Sequence, residues 1–245
     1  MFEFTYQGIK QELLIDGCFE PNLTTNIMLS AAIKELTENK NKFKRIIEIG
    51  CGCGVISSFL LKQGFFDMIN YLGVSDLSKQ AVLVSKKNIQ NSGSPNNFQN
   101  INYKVGPGLL PWKDSQFDFV INDISAISDA IVPMNSWFSN APNNAGIEGI
   151  SNTITVLNEF RSIGKIGSTM IFPVLSLSNT EILFKEIKKL GFNHDEVKKQ
   201  SWPLPTNMVQ MHKDRLFELR DLKYIDFNEK FGQLIVETIC YKVVI

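Results

Sequence analysis

Histidine is scarce in this sequence, with 2 in 245 residues, and cysteine is limited to Cys18, Cys51, Cys53 and Cys240. The cysteines form no paired framework, so a disulfide-stapled fold is excluded. Cys51 and Cys53 invite a metal reading. Only two histidines exist, however, and no second cysteine pair supplies a tetrahedral set, so no metal is expected. An excess of either charge is missing too: Lys plus Arg number 25 and Asp plus Glu number 25. A general nucleic-acid binder carries a basic surplus or stripe, so nucleic acid is not the expected partner. The basic run from Lys40 to Arg45 reads as a solvated lead-in to a strand. No unbroken apolar stretch approaches membrane length, and Met1–Tyr6 lacks the basic-then-apolar plan of a secretory leader. The expectation is a soluble, cytoplasmic protein without membrane partners. Its oligomeric state is not legible. Internal repeats and low-complexity tracts are missing as well.

What the sequence does have is apolar material: 44% hydrophobic residues, enough to bury a full core in one domain spanning 1–245. Residues 1–41 precede that core and read as a helical extension. Leu23 to Leu36 places Ile27, Met28, Ala31, Ala32 and Leu36 on one helical face. Thr24 and Thr25 sit at its start, where a hydroxyl caps free N–H groups or contacts a ligand as part of a lid. Further strands are expected at Met68–Val74, Ile101–Val105, Phe117–Asn122, Thr169–Pro173, Asn193–Lys199 and Leu234–Val244. Helices are expected after Ser78, near Thr153–Ile163, over Thr180–Leu190 closed by Gly191, and over Met208–Leu222. Asn91–Asn97 is dense in turn residues. Residues 133–150 form a long loop on the substrate side, since loops of that length inside a domain are usually functional. Residues 203–230 are a helical insertion before the last strand. Regular alternation of strand and helix implies a doubly wound α/β fold with a mostly parallel sheet.

The chain is organised around Ile46–Ile56. Ile46-Ile47-Glu48-Ile49 suits a strand covered on both faces, and Gly50, Gly52 and Gly54 alternate immediately after it. The apolar run from Val55 to Leu61 then resumes at helical spacing. A strand, a glycine turn and a helix N-terminus together let backbone approach a ligand closely. Gly106–Gly108, Asp76 and Asn122–Ser125 fall at the C-terminal ends of other expected strands. In such sheets ligands bind there, at the switch in strand order. A nicotinamide dinucleotide wants Gly-x-Gly-x-x-Gly, but here Val55 follows Gly54 where the last small residue should stand. Glu48 would repel a pyrophosphate, whereas a carboxylate suits a cationic ligand.

Glu48-Ile49-Gly50-Cys51-Gly52-Cys53-Gly54, an acid followed by alternating glycines, resembles the first motif of the class I (Rossmann-like) S-adenosylmethionine-dependent methyltransferases. Asp76 lies 22 residues past Gly54, where that family ends its second strand with an acid. Gly73–Ser78, Ala81 and Asn88 are similar as well. The resemblance covers residues 45 to 200. It implies a seven-stranded sheet with an antiparallel last strand and S-adenosyl-L-methionine as cofactor. It also implies cofactor contacts from Glu48, Gly50, Cys51, Gly52, Gly54, Asp76, Leu77 and Asn122, with Asp76 taking the ribose hydroxyls.

The order of Phe19-Glu20-Pro21, a threonine-bearing helix, the glycine turn and Ala145–Ile150 is distantly similar to the release-factor glutamine methyltransferases and their small-domain relatives. Those enzymes follow the fourth strand with Asn-Pro-Pro-Tyr. Here the position reads Asn122-Asp123-Ile124-Ser125, so the asparagine is kept and the prolines and tyrosine are lost. Pro107 stands where many members carry an adenine-binding acid, so another group must hold the adenine.

Methyl transfer requires positioning, and a base only when the acceptor's proton must leave early. Asp123 is the candidate for acceptor contact or proton removal; as a bland alternative it caps the segment after the fourth strand. Asn122 is the second candidate catalytic residue. Trp137, Ser125 and Thr25 are the candidate acceptor contacts, with Trp112 read as packing and His212 as a surface residue. The expected activity is methylation of a small molecule or a protein side chain. The alternative is a non-catalytic S-adenosylmethionine-binding protein or scaffold subunit.

Overall fold

Strand residues alternate strictly between two apolar layers, and that alternation builds the molecule. In the third strand Ile46 faces one layer while Ile47 and Ile49 face the other; in a neighbouring strand Phe119 and Ile121 oppose Val120. Period-2 alternation with both sides apolar requires helices on both faces of the sheet. The computed structural model describes residues 1–92, 100–124, 126–139, 141 and 143–245. The expected turn at Asn91–Asn97 therefore lies largely outside the described residues.

The strands are β1 (Phe2–Tyr6), β2 (Ile9–Leu13), β3 (Arg45–Ile49), β4 (Tyr71–Asp76), β5 (Ile101–Val105), β6 (Phe119–Asn122), β7 (Thr169–Leu175), β8 (His194–Pro203), β9 (Asn228–Lys230) and β10 (Gln233–Val244). The helices are α1 (Leu23–Glu38), α2 (Val55–Lys62), α3 (Lys79–Ser92), α4 (Ser151–Ile163), α5 (Thr180–Lys189) and α6 (Thr206–Asp221). The main sheet runs β5-β4-β3-β6-β7-β10-β8, with β9 added beside β10. β4, β5, β6 and β7 extend β3 in parallel, and β10 is antiparallel to both β7 and β8. The doubly wound reading holds, with the antiparallel last strand where it was expected. The chain winds outward from β3 through β4 and β5, then crosses to β6 on the other side. The crevice at the strand C-termini beside β3 is therefore the switch point where ligands bind in such sheets.

Two expectations need correction. The N-terminal extension is not wholly helical: β1 and β2 form an antiparallel hairpin before α1. Its turn, Gln7-Gly8, has φ of 47° and 79°, the left-handed pair that matches strand twist in a two-residue hairpin. Phe4 packs edge-on against Phe59 of α2, with ring centroids 5.3 Å apart. Alternating Phe2, Phe4 and Tyr6 is the signal for that hairpin. The segment before β10 is also not purely helical, because β9 pairs with β10. All three residues of β9 are exposed and polar, so no apolar pattern announces it.

Trp112 is fully buried, and its Nε1 donates to Ser75 Oγ at 2.8 Å. A Cβ at Gly73 would lie 2.8 Å from the indole, so the ring packs directly against β4. It is core, as expected. Among the described residues no helix is long and apolar enough to cross a membrane.

Candidate active site

Three glycines make the corner, and each does so differently. Cys51 N–H donates to Ser75 O of β4 at 3.1 Å, and Gly54 N–H closes the turn on Cys51 O at 2.7 Å. Gly54 caps α2 with φ of 76°, and an added Cβ would sit 2.7 Å from Ser85 Cβ of α3. A Cβ at Gly50 would meet Ile124 at 2.8 Å. Those two are glycines because protein fills the space. Gly52, with φ of 51°, has nothing within 4 Å of an added Cβ. Its N–H donates to Asp76 Oδ2 at 3.0 Å, while Asp76 Oδ1 accepts from Ser78 N at 2.8 Å. The open backbone of the turn and the carboxylate at the end of β4 are thus held side by side.

Above them lies a cavity of about 490 Å³, within the range of small-molecule and cofactor sites. One end is formed by Gly52, Asp76, Leu77 and the backbone of Gly106–Gly108. The wall also carries four aromatic rings, Phe19, Trp137, Phe138 and Trp202. Trp137 and Trp202 meet edge-on with centroids 5.8 Å apart, and Phe19 lies 5.5 Å from Phe138. The loop over 133–150 is tied down by Asp129, whose carboxylate accepts from Gly146 N, Ala145 N and Asn143 Nδ2 at 2.8 to 3.2 Å. Thr25 also lines the cavity, but its Oγ1 accepts from Asn22 N at 3.2 Å. Asn22 is the N-cap of α1, and Thr25 completes a reciprocal capping box. Capping is thus what the Thr25 hydroxyl does, and it does so on the cavity wall.

Two expected contacts sit beneath the cavity rather than in it. Glu48 is 1% exposed and accepts from both Ser57 N and Ser57 Oγ of α2. It anchors the first turn of the helix from below. Burial pushes its carboxyl up to about 7, against the opposing pull of the Ser57 hydrogen bonds. Asn122 is 2% exposed and turns its Oδ1 back to Ile124 N at 3.1 Å, guiding the chain off β6. Neither lines the cavity. The physical reason is strand pleat: the acid three residues before Cys51 points into the helical layer, not past the strand end.

Asp123 and Ile124, by contrast, do line the cavity. Burial drives the Asp123 carboxyl well above the ordinary carboxylate range, and Glu48 adds to that. Ser125 lies outside the described residues. His212 is at a kink in α6, away from the cavity. Trp202 and Glu159 escaped the sequence reading. Glu159 Oε2 accepts from Leu109 N at 2.6 Å, beside Gly108. Its signal is the polar row Asn152, Thr155 and Glu159 at helical spacing on α4, all on the cavity wall. Asn88 was noticed only by resemblance. Its amide spans Leu14 N, Leu14 O and Cys53 O at 2.8 to 2.9 Å, clamping the glycine turn to the hairpin side.

Glu48 gives a pH prediction. A buried acid with folded pKa about 7 against an ordinary 4.5 holds its proton longer in the folded state. The folded protein then binds more protons between those values, so this contribution to stability falls as pH rises through that window. Asp123 acts in the same sense. Glu48→Gln, which still accepts from Ser57, should make urea-unfolding stability less pH-dependent between pH 5 and 8. An unchanged difference between the two pH values would contradict it.

Residues 24–123, which contain the glycine turn, Asp76 and Asp123, match the methyltransferase small domain family. The match spans well under half of the chain and marks that segment as similar to the family. Among solved structures it is similar to the YcgJ protein from Bacillus subtilis (15% identity, TM-score 0.55, covering 89% of this chain and 97% of that one). It is also similar to the ribosomal protein L11 methylase from Lactobacillus delbrueckii subsp. bulgaricus (14%, 0.52, 93% and 82%). A third is the precorrin 8W decarboxylase from Methanobacterium thermoautotrophicum (12%, 0.51, 92% and 93%). At these identities the likeness is one of fold. No curated protein matches this chain in sequence.

Proposed function

We propose that the protein transfers a methyl group from S-adenosylmethionine to a small molecule or a protein side chain. The observation that carries this reading is the pairing of open backbone at Gly52 with the Asp76 carboxylate. S-adenosylmethionine is cationic and carries no phosphate. The cavity suits it: its acids are Asp76, Asp123 and Glu159, and no Lys, Arg or His lines it among the described residues. A pyrophosphate would meet those carboxylates uncompensated.

Each Asp76 oxygen accepts one backbone N–H and keeps a free lone pair, so the carboxylate can take two ribose hydroxyls. Leu77, 58% exposed on the cavity wall, offers an apolar surface to a base. With Pro107 in place of an acid, the backbone of Gly106–Gly108 and the Glu159 carboxyl are the polar groups nearest that end. Glu48, Asn122 and Asn88 support this arrangement from below. When bound, the sulfonium supplies a methyl carbon already activated for displacement. The chain's own work is then to orient donor and acceptor and to exclude water, which in well-aligned systems is worth roughly 7–11 kcal/mol. Asp123 is the one ionisable side chain on the cavity wall at the end of β6. Incubating the protein with methyl-labelled S-adenosylmethionine and fractionated cell extract tests the reading. Label should appear in a small-molecule or protein fraction; label in none, or in nucleic acid alone, would contradict it.

A further inference from the structure

The aromatic part of the cavity wall has a chemistry of its own. Four aromatic rings, Phe19, Trp137, Phe138 and Trp202, make it up, with Pro203 and Pro205 beside them. The Trp202 ring is fixed by its Nε1, which donates to Thr238 Oγ1 at 3.0 Å. Asp123 lines the same cavity, its backbone packed against Gly50 of the glycine turn. No donor among the described residues hydrogen-bonds its carboxylate: only burial and the charge of Glu48 act on it. Asp123 is partly exposed to the cavity; a carboxyl there without a donor of its own suits a cationic partner, whose charge in turn favours the carboxylate form. Cations are missing from the wall among the described residues. Residues 125, 140 and 142, which complete this stretch of sequence, are Ser, Asn and Pro. An acceptor bearing phosphate or carboxylate would therefore find no counter-charge and would meet Asp123.

We propose that the acceptor is an amine on an apolar or aromatic body, its nitrogen served by Asp123 and its body held by the Trp137–Trp202 and Phe19–Phe138 pairs. This rests on the methyl-donor reading above for the reaction, though not for the binding. Aromatic faces attract a desolvated ammonium, and the carboxylate completes its neutralisation. An ammonium cannot attack, so a proton must leave first; the Asp123 carboxylate takes it. The freed nitrogen pair then forms the N–C bond as the C–S bond of the donor breaks, its electron pair going to sulfur. The positive charge passes from sulfur to nitrogen, leaving a methylammonium, a neutral thioether and a protonated Asp123.

Tryptophan fluorescence of the whole protein, with saturating S-adenosylhomocysteine, reads the test. Phenethylamine and 3-phenylpropanoate share a body and differ in the charge of the head. The amine should bind at least about tenfold more tightly, and Asp123→Asn should cut that preference to within about threefold. Saturation with S-adenosylhomocysteine is established separately for each protein, so a change in its own affinity does not enter the comparison. Equal binding of amine and acid, binding of neither, or a preference that survives Asp123→Asn overturns the proposal. The comparison on the unmodified protein stands even if the variant does not fold. A lysine peptide with blocked termini forms the second arm: tighter binding than phenethylamine places the amine on a protein, weaker binding places it on a small molecule. If S-adenosylhomocysteine itself fails to bind, the methyl-donor reading falls, and the amine preference is read without it.

Discussion

Asp76→Ala should weaken S-adenosylhomocysteine binding at least tenfold, about 1.4 kcal/mol or more. The wild-type carboxylate is already oriented by Gly52 N–H at 3.0 Å and Ser78 N–H at 2.8 Å, so a ligand need not order it. Hydrogen bonds to a charged group contribute about 1.5–3 kcal/mol each, and two ribose hydroxyls would make two of them. The substitution also frees the Gly52 N–H to point elsewhere, which loosens the turn over which the ligand lies. Asp76→Asn keeps an acceptor for one backbone N–H but loses the charge, and should fall between wild type and Asp76→Ala. Calorimetric titration of the three proteins, each checked for an unaltered melting transition, reads the series. Equal affinity in wild type and Asp76→Ala would remove the ribose assignment.

Gly54→Ala should destabilise the fold by about 2–4 kcal/mol. Alanine at a left-handed φ costs upwards of about 1 kcal/mol, and forcing an extra carbon into packed surroundings adds about 1–3 kcal/mol. Both apply here, because φ is 76° and the new Cβ would lie 2.7 Å from Ser85 Cβ and 2.9 Å from Ser85 Cα. The obstacle includes backbone of α3, so it cannot swing aside. Gly52→Ala is the informative contrast. It carries the dihedral cost alone, since nothing lies within 4 Å, yet its methyl would enter the space where a ligand approaches. Urea unfolding should rank Gly54→Ala as the less stable variant, and ligand titration should rank Gly52→Ala as the weaker binder among folded proteins. Equal unfolding midpoints for the two would contradict the packing explanation of Gly54.

The sheet was legible because its strands speak a simple code. Around Glu48, Ile46, Ile47 and Ile49 are apolar on both faces, as are Phe119 to Ile121, which is the pattern of a covered parallel strand. The corner was legible because Gly50, Gly52 and Gly54 alternate where neither helix nor strand tolerates it. The direction of single side chains was less so. Glu48 carries the right charge for a cationic ligand, but pleat aims it at Ser57, and sequence spacing alone does not reveal which layer a strand residue enters. Asn122 is similar: its short amide closes on its own backbone, a local bond that competes with any role in the cavity. The hairpin of β1 and β2 rests on Gln7 adopting a left-handed φ, which a non-glycine residue does not advertise. Trp202 and Glu159 reach the cavity from elements distant in sequence, and only tertiary packing brings them beside Trp137 and Gly108.

The most direct test of the central claim, that this cavity holds a cationic, phosphate-free methyl donor, is a calorimetric titration of the unmodified protein with S-adenosylhomocysteine and, separately, with a nicotinamide dinucleotide. The expected result is saturable binding of the first and none of the second. Binding of the dinucleotide without S-adenosylhomocysteine would contradict it.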